Sequence, residues 1–361
     1  LSKSDVYYID IRENRAHPYP TEVMNLFDAL KISKIIAPGK SVAVKIHIGE
    51  QGNTRHIRPA YIRRIVDKVK EAGGKPFVTD TTSLYRGGRF TASECLETAK
   101  VNGFTTETLG APLIIADGEN GDKGVSIGTE GRIGKIEVAK AIANADAMIM
   151  AVHAKGHRLC GFGGAVKGLG MGCTTKKSKS KQHHANVPIL DSSKCDGCGL
   201  CVKSCPYKLL TLEKGRVKFN KTLCSGCLEC YFMCPKKALS LPTNSSRALQ
   251  ENLAEAASAV LKIFKEGKIA YFSFLMDVTP YCDCEKLPGN PFIPDLGILA
   301  SFDPVAIDWA AVDLINEAKP ISDTLLKGDK LKTLTGVDYS IQLKMAEKFK
   351  MGSKDYQLIK V

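Results

Sequence analysis

The sequence predicts an α/β protein, a host with a largely parallel sheet into which a small α+β module is inserted. Three observations predict it. Apolar, strand-like runs alternate with capped or amphipathic helices from Ser41 to Val152. Between Cys195 and Pro235 that rhythm gives way to eight closely spaced cysteines. Beyond Pro242 the alternation returns, so residues 1–186 and 244–361 read as two parts of one host and 187–243 as the insert. Three separate domains is the alternative.

The elements follow in order. Ser41 to Ile48 alternates in polarity and predicts a strand, which leads into the loop Gly49 to His56. Pro59 opens a helix whose apolar stripe is Tyr61, Ile62, Ile65, Val66 and Val69, and Gly73-Gly74 stops it. A short strand, Pro76 to Thr79, is followed by the loop Asp80 to Arg89. Thr91-Ala-Ser-Glu94 is a capping box for the next helix. Pro112 to Ala116 and Ala147 to Val152 are continuous apolar runs of buried-strand type. A glycine-rich loop, His153 to Cys173, and a basic polar link, Thr174 to His184, lead to the insert. After it come a linker, Pro242 to Ser246, and an amphipathic helix marked by Leu249, Leu253, Ala256, Val260, Leu261 and Phe264. Strands at Ile269 to Phe274 and Gly297 to Ala300, then a helix opened by Asp303-Pro304, complete the host.

The insert contains Cys195-Asp-Gly-Cys198-Gly-Leu-Cys201-Val-Lys-Ser-Cys205-Pro206 and then Cys224-Ser-Gly-Cys227-Leu-Glu-Cys230-Tyr-Phe-Met-Cys234-Pro235. Each is the C-x2-C-x2-C-x3-C-P run that ligates [4Fe-4S] clusters, the fourth cysteine serving the other cluster. One cluster would take Cys195, Cys198, Cys201 and Cys234, and the other Cys224, Cys227, Cys230 and Cys205. Three thiolates on a tight loop reach three corners of one cube, and crossed ligation ties the two halves together. Gly197, Gly199 and Gly226 suit backbone wrapped closely around sulfide. Zinc sites use C-x-x-C pairs and disulfide frameworks belong to small secreted chains; neither fits this pattern. Between the copies, Leu210 to Phe219 alternates around Lys214-Gly215 and predicts a hairpin. Residues 188 to 242 resemble the bacterial-type two-cluster ferredoxins.

Composition bounds the rest. At 361 residues and 44% hydrophobic the chain buries a large core. Thirteen cysteines, eight assigned to clusters, argue for a reducing cytoplasm. No charged leader with an apolar core opens the sequence, and no apolar run approaches a membrane span. The formal charge of +13 falls to about +9 once two oxidised thiolate-ligated clusters are counted. Between Leu190 and Ser240 nine basic residues face four acidic ones. An acidic ferredoxin or flavodoxin-type redox partner would be attracted to such a surface, while solvated lysines without a partner are the bland alternative.

In the host, polar residues gather just after the predicted strands: Lys45, His47 and Glu50; Asp80, Thr81 and Thr82; His153, Lys155 and His157; Asp277, Cys282, Asp283 and Cys284. In a parallel sheet these ends share one edge, where ligands bind. Gly161 to Gly170 carries Lys167 among backbone N–H groups, a combination suited to phosphate or carboxylate, though it is not a Walker loop. Cys282-Asp-Cys284 is a C-x-C pair able to bind metal or shuttle electrons, or simply one buried and one loop cysteine.

Lys45-Ile-His-Ile-Gly-Glu50, Thr79-Asp-Thr-Thr82, Lys155-Gly-His157, Gly163-Gly-Ala-Val-Lys167 and Ser301-Phe-Asp-Pro-Val-Ala-Ile-Asp308, set around a two-cluster insert, resemble domain-of-unknown-function family 362. That resemblance implies a cytoplasmic iron–sulfur protein typical of anaerobic bacteria and archaea, and no settled reaction. The expectation is an electron-transfer protein, possible component of a ferredoxin-linked oxidoreductase, with an anion pocket. There Lys155, Lys167 and His157 orient the ligand, Lys45 completes the site, and His47 or Asp80 handles protons. The competing reading is a non-enzymatic carrier or cluster-bearing scaffold whose host only docks partners. Nucleic-acid binding through Lys176 to Lys181 lacks an accompanying module or stacking platform.

Overall fold

The computed structural model describes residues 3–13, 17–264, 267–321 and 328–361. Eight strands form one sheet: β1 (Ser4–Asp10), β2 (Ser41–Lys45), β3 (Lys75–Asp80), β4 (Leu113–Ile115), β5 (Ala147–His153), β6 (Ile269–Leu275), β7 (Gly297–Ser301) and β8 (Tyr356–Lys360). Their order is β8-β1-β7-β6-β5-β2-β3-β4. All neighbours are parallel except the two pairs made by β7, so β7 alone runs against the others. The sheet is therefore largely parallel, and its strands come from both sides of the cysteine-rich segment.

Successive residues of β5 face opposite layers, as the period of two requires. Met148, Met150 and Val152 join one core, and Ala147, Ile149 and Ala151 the other. The second core is covered by α1 (Tyr19–Ala29), α2 (Pro59–Glu71) and α3 (Ala92–Val101). The first is covered by α4 (Ala165–Gly170), α6 (Ser245–Leu261), α7 (Pro304–Glu317) and α8 (Ser340–Lys348), with α5 (Lys176–His183) beside them. The capping box predicted at Thr91 is present, with Thr91 accepting from the Glu94 N–H. Helices on both faces bury the central strands β5 and β6 completely, which explains why these two read as unbroken apolar runs.

Three segments differ from expectation. The run at Pro112 to Ala116 forms β4 at the edge of the sheet, with Ile114 exposed, rather than a fully buried strand. The link at 174–184 is a helix, α5, capped by Thr175 and docked with Ser178, Lys179 and Gln182 buried. Its four lysines are engaged within the chain: Lys176 reaches Phe90 O, Lys177 the Glu137 carboxylate, Lys179 Thr81 and Thr82, and Lys181 Lys135 O. That basic run does not form a free cationic strip. The linker at 242–246 is likewise shorter than predicted, because α6 begins at Ser245.

The cysteine-rich segment has its own small core of Cys201, Leu210, Val217, Cys230 and Leu239. Its predicted hairpin forms, Leu210–Glu213 against Arg216–Phe219. Its entry and exit are stitched by Ile189–Leu190 pairing with Leu239–Ser240.

Candidate functional site

The chain runs from β2 outward to β3 and β4, then crosses back to lay β5 on the other side of β2. This reversal opens a crevice at the carboxyl ends of β2 and β5, where doubly wound sheets bind ligands. A cavity of about 140 Å³ lies there. Lys45 and His47 enter it from β2, Asp80, Thr81 and Thr82 from β3, and His153 from β5. Lys155, His157, Lys167 and Cys284 close it from later loops. The six host residues given roles above, Lys45, His47, Asp80, Lys155, His157 and Lys167, therefore share one cavity. Glu50 does not line it; it is buried against Arg89. Asp277 also lies outside, paired with Arg55 and Arg58.

Cations dominate the wall, and most are matched. Lys45 pairs with Asp80 at 2.9 Å, Arg89 with Glu50 at 3.1 Å, and Lys179 faces Asp117 at 3.9 Å. Lys155 meets Asp283 at 3.1 Å, a charge contact rather than an aligned hydrogen bond. Among the described residues no carboxylate pairs with Lys167. Burial and the Lys155 charge lower its pKa to about 8. Burial works to raise the Asp80 carboxyl, but Lys45 and Arg89 outweigh it and hold the acid well below the usual carboxylate range.

The imidazoles differ in what they can do. Burial and nearby cations hold His47 and His157 well below their ordinary range, so both are neutral at neutral pH. Each accepts backbone N–H groups at Nδ1, from Gly49 and from Leu159 and Cys160, which puts the ring hydrogen on Nε2. His153 is clamped between the Asp283 carboxylate and Met276 O, both at 2.8 Å. His47 and His157, together with His183, whose Nδ1 meets Lys179 O, are the rings left to exchange hydrogen bonds with a ligand.

In the cysteine-rich segment the two runs repeat one backbone path. Gly197 and Gly226 have φ of 71° and 68°, Gly199 and Leu228 of 73° and 69°, and Lys208 and Lys237 of 53° and 50°. Cys195, Cys198, Cys201 and Cys234 surround one hollow. Burial pushes the Cys230 thiol up to about 12, helped by its neighbours Cys227, Cys224 and Cys205. The fourth cysteine of each run thus sits with the first three of the other. None of the eight is in a disulfide. Backbone N–H groups of Leu209, Gly226 and Ala238 point at the sulfurs of Cys205, Cys224 and Cys234 at 3.3–3.4 Å.

The second set packs against residues of the host cavity's wall. A Cβ on Gly226 would lie 2.2 Å from His183 O, so the loop packs directly on α5. Tyr207 donates to Leu84 O at 2.9 Å. His183 and Leu84 both line the cavity. Cys198 of the first set is exposed. Cys282 and Cys284 are joined in a disulfide, and a ring nitrogen of His157 lies within 4.8 Å of both sulfurs. The pair is thus linked, not one buried and one independent loop cysteine, because the tight turn around buried Asp283 brings the sulfurs together.

The profile described as Domain of unknown function (DUF362) matches residues 42–313. The chain belongs to the DUF362 family. No curated protein matches it. Among solved structures it is similar to the lactate racemase apoprotein from Thermoanaerobacterium thermosaccharolyticum, with 13% identity and a TM-score of 0.40, over 76% of this chain and 51% of that one. A crystal structure of a Thermotoga maritima protein matches at 10% identity and a TM-score of 0.40, over 92% and 60%. This chain therefore spans about half to three fifths of those chains. No helix among the described residues is long and apolar enough to cross a membrane.

The DUF362 motifs divide between wall and scaffold. Lys45, Asp80, Lys155, His157 and Lys167 touch the cavity, whereas Asp303 and Asp308 of the Ser301 to Asp308 motif do not. Asp303 caps α7 through Val305 and Ala306 N–H groups. Asp308 accepts from Ala165 N at 2.6 Å and Val166 N at 2.9 Å, capping α4 from another part of the chain. This corrects the expectation for Gly161 to Gly170: two of its N–H groups serve an internal carboxylate, and the ammonium of Lys167 is what the loop presents. Arg89, Lys179 and His183 also line the cavity without having been singled out. Thr175 as a cap and the i, i+4 spacing of Lys179 and His183 were the available signals.

Proposed function

We propose that this DUF362 protein is an iron–sulfur electron-transfer protein whose two [4Fe-4S] clusters serve a host pocket for a small anion. It has a continuous host made of residues 1–186 and 244–361 and a two-cluster ferredoxin-like insert at 187–243. Cys195, Cys198, Cys201 and Cys234 would hold one cluster, and Cys224, Cys227, Cys230 and Cys205 the other. When bound, such clusters supply one-electron transfers. The donor set fits: four soft, unbonded thiols in each group, with N–H groups aimed at sulfur.

The observation that carries the coupling is the packing of Gly226 on His183, which sets the second cysteine group behind the cavity wall. The exposed Cys198 end is the natural docking face for an acidic ferredoxin or flavodoxin. In the pocket, unmatched Lys167 attracts the anion, Lys155 and Lys45 add positive field, and neutral His157 orients it through Nε2–H. His47 is the better proton carrier, because Asp80 is already committed to Lys45 and to the N–H groups of Ile48 and Thr81. The cavity is smaller than the roughly 300 Å³ at which drug-sized sites begin, which favours a ligand of few heavy atoms.

Electron paramagnetic resonance of the reduced, anaerobically prepared protein tests the coupling. Titration with oxalate or inorganic phosphate is expected to shift one of two cluster signals, and Lys167→Ala to abolish the shift while preserving both signals. An anion that binds without moving either signal would leave a carrier or scaffold with an unconnected pocket.

A further inference from the structure

We infer that Cys282–Cys284 is a redox-active disulfide, a two-electron station between the cysteine-rich insert and the cavity. The inference rests on the electron-transfer reading above. Its starting point is that the other eleven cysteines carry no disulfide, so this chain does not use such bonds as staples. A bond that closes over a single residue also restrains the unfolded chain least. Stability is a poor reason for it.

Position is a better one. Cys284 lines the cavity and Cys282 is buried behind it. Asp283 between them is fully buried, bound to His153 and Lys155, and its carbonyl accepts from Glu50 N at 2.8 Å. The turn is therefore fixed at the cavity wall. The strand carrying Lys155 and His157 presses on it: Gly156 N donates to Thr279 O, and a Cβ on Gly156 would meet Pro280 O at 2.1 Å. Toward the insert, the Arg158 guanidinium lies 4.3 Å from the Tyr281 ring and 5.1 Å from the Phe232 ring, and pairs with Glu285. Tyr281 and Glu285 flank the cysteine pair, while Phe232 lies between Cys230 and Cys234. Both ends of the turn thus contact Arg158, which in turn packs on Phe232 of the segment that would hold the clusters.

The balanced step is simple. Two electrons, one from each reduced cluster, and two protons from solvent break the S–S bond and form two S–H bonds. Single-electron deliveries become an electron pair at the cavity wall.

The test uses the anaerobic holoprotein, titrated with dithionite, quenched with N-ethylmaleimide in neutral denaturant so that the buried Cys282 is reached, and read by peptide mass spectrometry. Cys282 and Cys284 are expected to be unlabelled before reduction and both labelled after it. The native chain should take up about four electrons and a Cys282→Ser/Cys284→Ser chain about two, at equal iron content. If the double variant does not accumulate, labelling of the native chain decides alone. Reduced clusters with a still unlabelled pair overturn the inference and leave the electron-transfer reading standing. A pair labelled before reduction, or protected by a metal ion that His157→Ala releases, also overturns it. Absence of iron and sulfide defeats the electron-transfer reading itself, and with it this step.

Discussion

Among the described residues, Lys167 is the cavity cation without a carboxylate partner, and much of the proposed chemistry turns on its charge. Its depressed pKa near 8 results from burial and from Lys155. The ammonium form is required to hold an anion, so binding is expected to be strong below that pH and to fade as pH rises through it. The bound anion itself stabilises the ammonium, so the midpoint should move upward at saturation. Calorimetric titration with oxalate or phosphate from pH 6 to about 10 reads this directly. Lys167→Ala should weaken binding by roughly 10- to 100-fold and remove the pH step. A step that persists in the variant assigns the titration to another group. Of the other residues, Lys45, Asp80, Lys155 and His157 were legible because each follows an apolar strand run. Lys179 and His183 were not, because α5 contains no apolar residue and so no hydrophobic period.

At the scale of elements, α4 depends on a partner more than a hundred residues away. Asp308 supplies the acceptors for its first N–H groups, and Gly164 is needed because a Cβ there would lie 2.2 Å from Asp308 Oδ1. Asp308→Ala is therefore expected to cost about 1–3 kcal/mol of stability through the two orphaned donors. It should also weaken anion binding by displacing Lys167, although Asp308 does not line the cavity. Urea unfolding and the same calorimetric titration check both effects; unchanged binding with lowered stability would confine Asp308 to a structural role. The buried strands β2, β3, β5, β6 and β7 and the cap at Thr91 were readable from local pattern. Strands β1 and β8 were not, because their pairing is decided by contacts between opposite ends of the chain. The cap from Asp308 to α4 is equally nonlocal.

For the whole molecule, the arrangement places a cysteine-rich segment over one end of a largely parallel sheet, with Cys198 of one group exposed and the loop of the other packed on α5 at the cavity wall. The cysteine runs were the most legible part of the sequence, because metal spacing survives without any knowledge of packing. What spacing does not reveal is which group turns toward the host; that follows from Gly226, Tyr207 and Phe232 meeting their host partners His183, Leu84 and Arg158. The central claim is that these eight thiols hold two iron–sulfur clusters. The most direct measurement is iron and acid-labile sulfide per chain after anaerobic purification. The account predicts about eight of each, falling by about half in Cys198→Ala and in Cys230→Ala. Zinc without sulfide, or disulfides among the eight cysteines, would contradict it.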